Sequence, residues 1–238
     1  SPSGSINYNI CLENPANLNE PINDIILVDV LPHIGDRGVV ANDEFRDSEW
    51  RPIFTSTTIA DLSTNLPMGS TIFYSMECNP CLSGDLGVTD VAGCSNPNWS
   101  TTPPADPADV CAFKVVFPPA YTMTPGDAPT CFQINLTAPA NVPTNGEIAW
   151  NSFGFLGEKS DNTVLLASEP IKVGVASMPS PCNFPSATTS TVVGTCIGTF
   201  SNNDAEINLT AVMDGNQANI STGTTYMGAA YDDASNID

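Results

Sequence analysis

Twenty-one prolines and 17 glycines are scattered along the 238 residues rather than collected in a tail, and this distribution decides the fold class before any motif is considered. Proline removes a backbone donor and glycine weakens a helix interior, so a long α-helix needs a stretch free of both. No window places apolar residues at i, i+3, i+4 and i+7 without a Pro or Gly interrupting it. Short strands joined by many turns remain.

The apolar residues follow the same reading. In "INYNICLEN" the side chains of Ile6, Tyr8, Ile10 and Leu12 alternate onto one face; Phe132, Ile134 and Leu136 do so in "CFQINLTAP", and Ile171, Val173 and Val175 in "IKVGVAS". "DIILVDVL", "TIFYSM", "FKVVF" and "TVLLAS" are continuous apolar runs bounded by turn residues, suited to strands covered on both faces. The chain is expected to be all-β, and a β-sandwich is the economical architecture, because each sheet buries its apolar face against the other.

Composition shifts mark the organisation. "SMPSPCNFPSATTST" is rich in Pro, Ser and Thr and reads as a linker. We expect a large β-sandwich module over residues 1–177, a linker over 178–191, and a second, partial β-sandwich module over 192–238. The chain begins "SPSGSINYNI" without a signal peptide and stops at "YDDASNID", and it reads as a fragment of something longer. Its apolar runs are far shorter than the roughly twenty residues that span a bilayer, so no membrane insertion is expected.

With 26 acidic and 6 basic residues the formal net charge is -20. Phosphate backbones and anionic lipids are recognised by lysine and arginine, so nucleic acid is not an expected partner. Divalent cations are better candidates, with Ca²⁺ the candidate cofactor; the alternative reading is that the acidity keeps an extracellular surface soluble. "ANDEFRDSEW" gathers Asp43, Glu44, Asp47 and Glu49, and with Asp36 of the preceding "IGDRG" turn it offers Asp36, Asp43 and Asp47 as candidate Ca²⁺ ligands, with Asp204 and Asp214 weaker ones. The competing reading is that Arg46 pairs with a carboxylate and pins this loop to that turn.

Catalytic constellations are sparse. The single histidine, His33, lies beside Pro32, which excludes two-histidine metal centres and leaves a turn residue as the ordinary reading. No G-x-S-x-G elbow or G-x-x-x-x-G-K-[ST] loop is present. A glycosidase would need two carboxylates, and Glu44, Asp47 and Glu49 near Trp50 are the available set. Lys114, in the middle of "AFKVVF", is expected to point outward from its strand rather than form an isopeptide cross-link. We expect no enzyme. Sequons at Asn98, Asn135, Asn208 and Asn219 arise readily in a chain this rich in Asn, Ser and Thr.

Eight cysteines divide into six before the linker (Cys11, Cys78, Cys81, Cys94, Cys111 and Cys131) and two from its start onward (Cys182 and Cys196). Even counts suit intradomain disulfides in a secreted chain. Cys78 and Cys81 form a C-x-x-C, but no second such pair or histidine completes a zinc set, and Asn79-Pro80 leads into "LSGDLG" rather than a helix. Cys182 with Cys196 closes a short loop, worth roughly 3 kcal/mol on the chain-entropy estimate. Sequence cannot choose among the many pairings of the first six. Loop closure favours Cys81 with Cys94 and Cys111 with Cys131, leaving Cys11 with Cys78.

Residues 195–237 resemble a repeated Ig-like module of very large cell-surface proteins of Bacteroidota, including adhesins associated with gliding. The features that match are Thr195-Cys196, Gly198-Thr199, Asn203-Asp204, Ile207-x-Leu209-Thr210, Ser221-Thr222-Gly223, Tyr226-x-Gly228 and Tyr231; Ala205 departs from the usual Gly. "NDIILVDVLPHIGDRGVV", "RDSEWRPIF", "FYSMECNPC", "GCSNPNWS" and "VPTNGEIAWNSFGF" resemble, in order, a module of bacterial surface-anchored repeat proteins. The resemblance implies an extracellular, cell-surface location, export across an outer membrane, and a non-enzymatic adhesive or stalk role. Its implied partners are other modules of the same polypeptide and a surface glycan or protein ligand. The alternative is a carbohydrate-binding module of a secreted enzyme, with Trp50, Trp99 or Trp150 as stacking faces.

Overall fold

A computed structural model describes residues 4–17, 19–40, 44–55, 66–83, 85–87, 95–143, 146–165, 169, 172–177, 205–212, 217–221 and 230–232. The chain is all-β, as expected. Its strands are β1 (Ser5–Glu13), β2 (Ile22–Val30), β3 (Ile53–Phe54), β4 (Thr71–Ser75), β5 (Ala112–Val116), β6 (Thr130–Thr137), β7 (Ile148–Asn151), β8 (Phe153–Lys159), β9 (Val173–Ala176), β10 (Ala205–Val212), β11 (Gln217–Ser221) and β12 (Ala230–Asp232). The described residues hold no α-helix; the only helical turn among them is a 3-10 turn, Pro107–Asp109, capped by the Asp106 side chain.

Among the described residues three sheets form, with strand orders β11-β10-β1-β6-β3, β4-β5-β2-β8 and β12-β9-β7. In the first, antiparallel pairing sets Ile6 opposite Leu136, Tyr8 opposite Ile134 and Ile10 opposite Phe132, so the alternation read from sequence becomes one continuous apolar face. The four-stranded sheet supplies the other face through Leu27, Phe113, Val115, Phe153 and Phe155. Phe113 marks where the two sheets meet: its ring centroid lies 6.4 Å from those of both Phe54 and Phe132, in the opposing sheet.

β2 runs apolar on both faces, and the structure explains why. Its inner side chains join the main core, while Val28 and Val30 are buried in a second cluster with Val39, Leu82, Leu86, Ala112 and Leu156. A register shift between Asn23 and Ile26, where Asp24 has φ 48°, re-phases the strand so that Ile22 and Ile25 both face inward despite odd spacing. Ser152 separates β7 from β8, so the chain changes sheets at this residue.

Beyond residue 204, β10 lies parallel to β1 from Ile6↔Ala205 to Glu13↔Val212, and β12 pairs with β9. The segment expected as a partial module thus adds strands to the sheets built by residues 1–177. The linker over 178–191 lies outside the described residues.

The cysteine pairing corrects the loop-closure expectation. Cys11 bonds to Cys131 and Cys78 to Cys111, in place of Cys11 with Cys78 and Cys111 with Cys131. Strand register is the reason: Cys11 on β1 sits directly opposite Cys131 on β6, although 120 residues separate them in sequence. Cys78 follows β4 and Cys111 precedes β5, its neighbour. Buried Cys81 is also disulfide-bonded; its expected partner Cys94, and the expected Cys182–Cys196 pair, lie outside the described residues.

Candidate functional site

The described polar side chains converge most densely where the loop of residues 31–50 meets the sheet change at Ser152. A tight turn begins this loop, with the Asp36 amide donating to the His33 carbonyl at 3.0 Å and Gly35 at φ 81°, a conformation that suits glycine. The loop then doubles back: Gly38 N–H donates to Glu44 O and Arg46 N–H to Asp36 O. This local hairpin sets Arg46 beside Asp36, bringing the Arg46 guanidinium to 3.1 Å from the Asp36 carboxylate with side-chain exposures of 3% and 0%.

Neighbouring donors complete the pair. Ser48 Oγ and Ser48 N–H donate to the two Asp36 oxygens at 2.7 and 3.2 Å. Arg46 donates to Val30 O at 2.6 Å, to Ser152 O at 3.3 Å and to Asn151 Oδ1 at 3.4 Å, so it ties the loop to the ends of β2 and β7. Asn151 Nδ2 in turn donates to Asp29 Oδ2 at 3.0 Å. Glu169 accepts from the Val39 and Val40 amides at 2.8 and 2.7 Å and from Ser152 Oγ, and Lys172 Nζ donates to Arg46 O while lying over the Trp150 ring.

The electrostatics follow from enclosure. Burial pushes Asp29 up to about 7; the Asn151 hydrogen bond and Arg46 oppose this, and Glu169 adds to it. The Tyr8 hydroxyl is raised far above its ordinary value by burial and by Asp29. His33 is lowered by burial, against its hydrogen bond to the Leu31 carbonyl, which can only accept and so fixes the proton on Nδ1. The side-chain atoms Tyr8 Oη, Asp29 Oδ1 and Arg46 Nε are buried without hydrogen-bond partners.

Of the candidate calcium ligands, only Asp36 and Asp47 lie among the described residues. Asp36 is enclosed and engaged by Arg46 and Ser48, Asp47 is exposed, and Asp43, Asp204 and Asp214 lie outside the described residues. Among the described residues no three His, Cys, Asp or Glu side chains gather as a metal would require. The arginine-pin reading of "ANDEFRDSEW" is what the geometry shows.

Trp50 is 4% exposed and donates through Nε1 to Glu147 O, so it presents no stacking face. Trp99 and Trp150 are half-buried, with Lys114 over the first and Lys172 over the second. Lys114 also lies over Phe73, directly opposite it on β4, and burial lowers its pKa. Glu49 accepts from the Ile148 amide at 2.8 Å. A surface groove of about 300 Å³ beside β4, lined by Tyr74, Met76, Glu77, Asn98, Ser100 and Pro104, offers Glu77 as its one carboxylate.

No family model, curated protein or solved structure matches this chain. No helix of the described residues is long and apolar enough to cross a membrane.

Sequence reasoning missed Asp29, Asn151, Glu169 and Lys172 as members of this node. One signal was present: Asp29 interrupts the apolar run "ILVDVL" at a position whose neighbours by alternation, Leu27 and Leu31, are core residues. The others are brought in by chain crossings that leave no local pattern.

Proposed function

We propose that this chain is a non-enzymatic structural or adhesive segment of a secreted bacterial cell-surface protein, a stalk or adhesin module. One observation carries the reading: two neighbouring-strand pairs, one in each main sheet, carry a covalent staple, Cys11–Cys131 for β1 with β6 and Cys78–Cys111 for the β4–β5 pair. Disulfides persist in oxidising surroundings, and staples between neighbouring strands resist separation of those strands under load. The densest polar node supports it too, because its arginine and carboxylates are engaged in holding three chain segments together rather than lining a cleft. Other modules of the same polypeptide, and a glycan or protein on an opposing surface, are the partners this role requires.

The test is protease shaving of intact source cells followed by non-reducing mass spectrometry. The reading expects released peptides joined through Cys11–Cys131 and Cys78–Cys111. Recovery of these cysteines only after lysis, and only as free thiols, would overturn it.

A further inference from the structure

We propose that Asp29 is a proton-responsive latch: with its proton the buried node is charge-balanced and holds the 31–50 loop against the sheets, and without it the node carries an excess negative charge that loosens the Glu169 anchorage. The geometry begins with Asp29 itself, which is 0% exposed on β2 between core residues Leu27 and Leu31. Asn151 donates to one of its oxygens, while the other, buried, has no hydrogen-bond partner. A buried carboxylate so placed is costly as an anion and tolerable as an acid.

The groups around it set the balance. From the 31–50 loop come Arg46 and Asp36, paired to each other; from β1 comes the Tyr8 hydroxyl, and from β7 the neutral amide of Asn151. From the segment before β9 come Glu169 and Lys172. Arg46 and Lys172 against Asp36 and Glu169 already cancel, so a charged Asp29 is the unbalanced member. The field of Glu169 acts on Asp29 unfavourably, and Glu169 is the group that fastens the Val39 and Val40 amides and Ser152 Oγ.

The direction with pH follows. The folded-state value of Asp29, about 7, lies above that of an unfolded aspartate near 3.9, so between these limits the folded chain binds the extra proton. Stability from this group falls as pH rises from about 4 to about 7 and changes no further above it. The latch is closed in acid and strained above neutrality.

The experiment compares the full chain with Asp29→Asn, which keeps the shape of the protonated acid. Hydrogen-exchange protection factors of the Val39 and Val40 amides are measured at pH 6 and pH 8. In the parent chain protection is expected to fall by about tenfold or more, the equivalent of one pKa unit of coupling, whereas in the variant it holds to within about twofold. An equal fall in both, or none in the parent, overturns the proposal. Should Asp29→Asn fail to fold, the carboxyl ¹³C shift of Asp29 in the parent chain decides: titration near neutrality supports the latch, and titration in the ordinary aspartate range sinks it.

Discussion

Arg46 and Asp36 meet at 3.1 Å with almost none of either side chain exposed, ten residues apart in a loop that must fold back on itself for them to touch. The pair is a pin between the β2–β3 loop and the sheet corner at Asn151 and Ser152. Removing one partner leaves the other charge enclosed. Arg46→Met is therefore expected to cost about 3–5 kcal/mol in urea unfolding, whereas Arg46→Met with Asp36→Leu together should cost less than Arg46→Met alone. A double variant as damaged as the two single changes added together would show that the pair is not coupled.

Phe113 joins the two sheets through Phe54 and Phe132, so its loss leaves a cavity between layers rather than at an edge. Phe113→Ala is expected to destabilise by about 3–5 kcal/mol, and Phe113→Leu by clearly less. Thermal unfolding of both variants checks the order.

Gly154 on β8 marks where the 31–50 loop presses on the sheet. A Cβ there would lie 2.7 Å from Val39 Cγ1 and 3.1 Å from Val40 Cγ2. Neither valine is the free end of a flexible chain. Gly154→Ala is expected to cost about 1–3 kcal/mol by overpacking and to lower exchange protection at Val39 and Val40 before other strand amides. Uniform loss of protection across the sheets would show that the loop is not the element displaced.

The fold was legible in the sequence to the extent that alternation encodes it. Ile6, Tyr8, Ile10 and Leu12 and their partners on β6 needed only a period of two to be placed on one face. The disulfides were not legible, because loop length says little once strand register brings Cys11 against Cys131 from 120 residues away. The polar node was half legible: Arg46 could be paired with Asp36 from their closeness in sequence, but nothing local announces that Asn151 and Glu169 arrive at the same place. Trp50 illustrates the opposite error, since an aromatic beside acidic residues looked like a stacking surface and is instead 4% exposed.

The staples should dominate stability. On the chain-entropy estimate, opening the Cys11–Cys131 bridge by a Cys11→Ser, Cys131→Ser double change costs about 5 kcal/mol, and opening Cys78–Cys111, which closes a shorter loop, about 4 kcal/mol. Unfolding midpoints of the two double variants should rank in that order.

A stalk under tension, finally, has a defined length under force. Pulled between residues 4 and 177 in single-molecule force spectroscopy, the oxidised chain cannot extend the stretch enclosed by Cys11 and Cys131. Reduction should add about 400 Å of contour length, from the 120-residue separation at roughly 3.3–3.6 Å per residue. The same final extension with and without reductant would contradict the account.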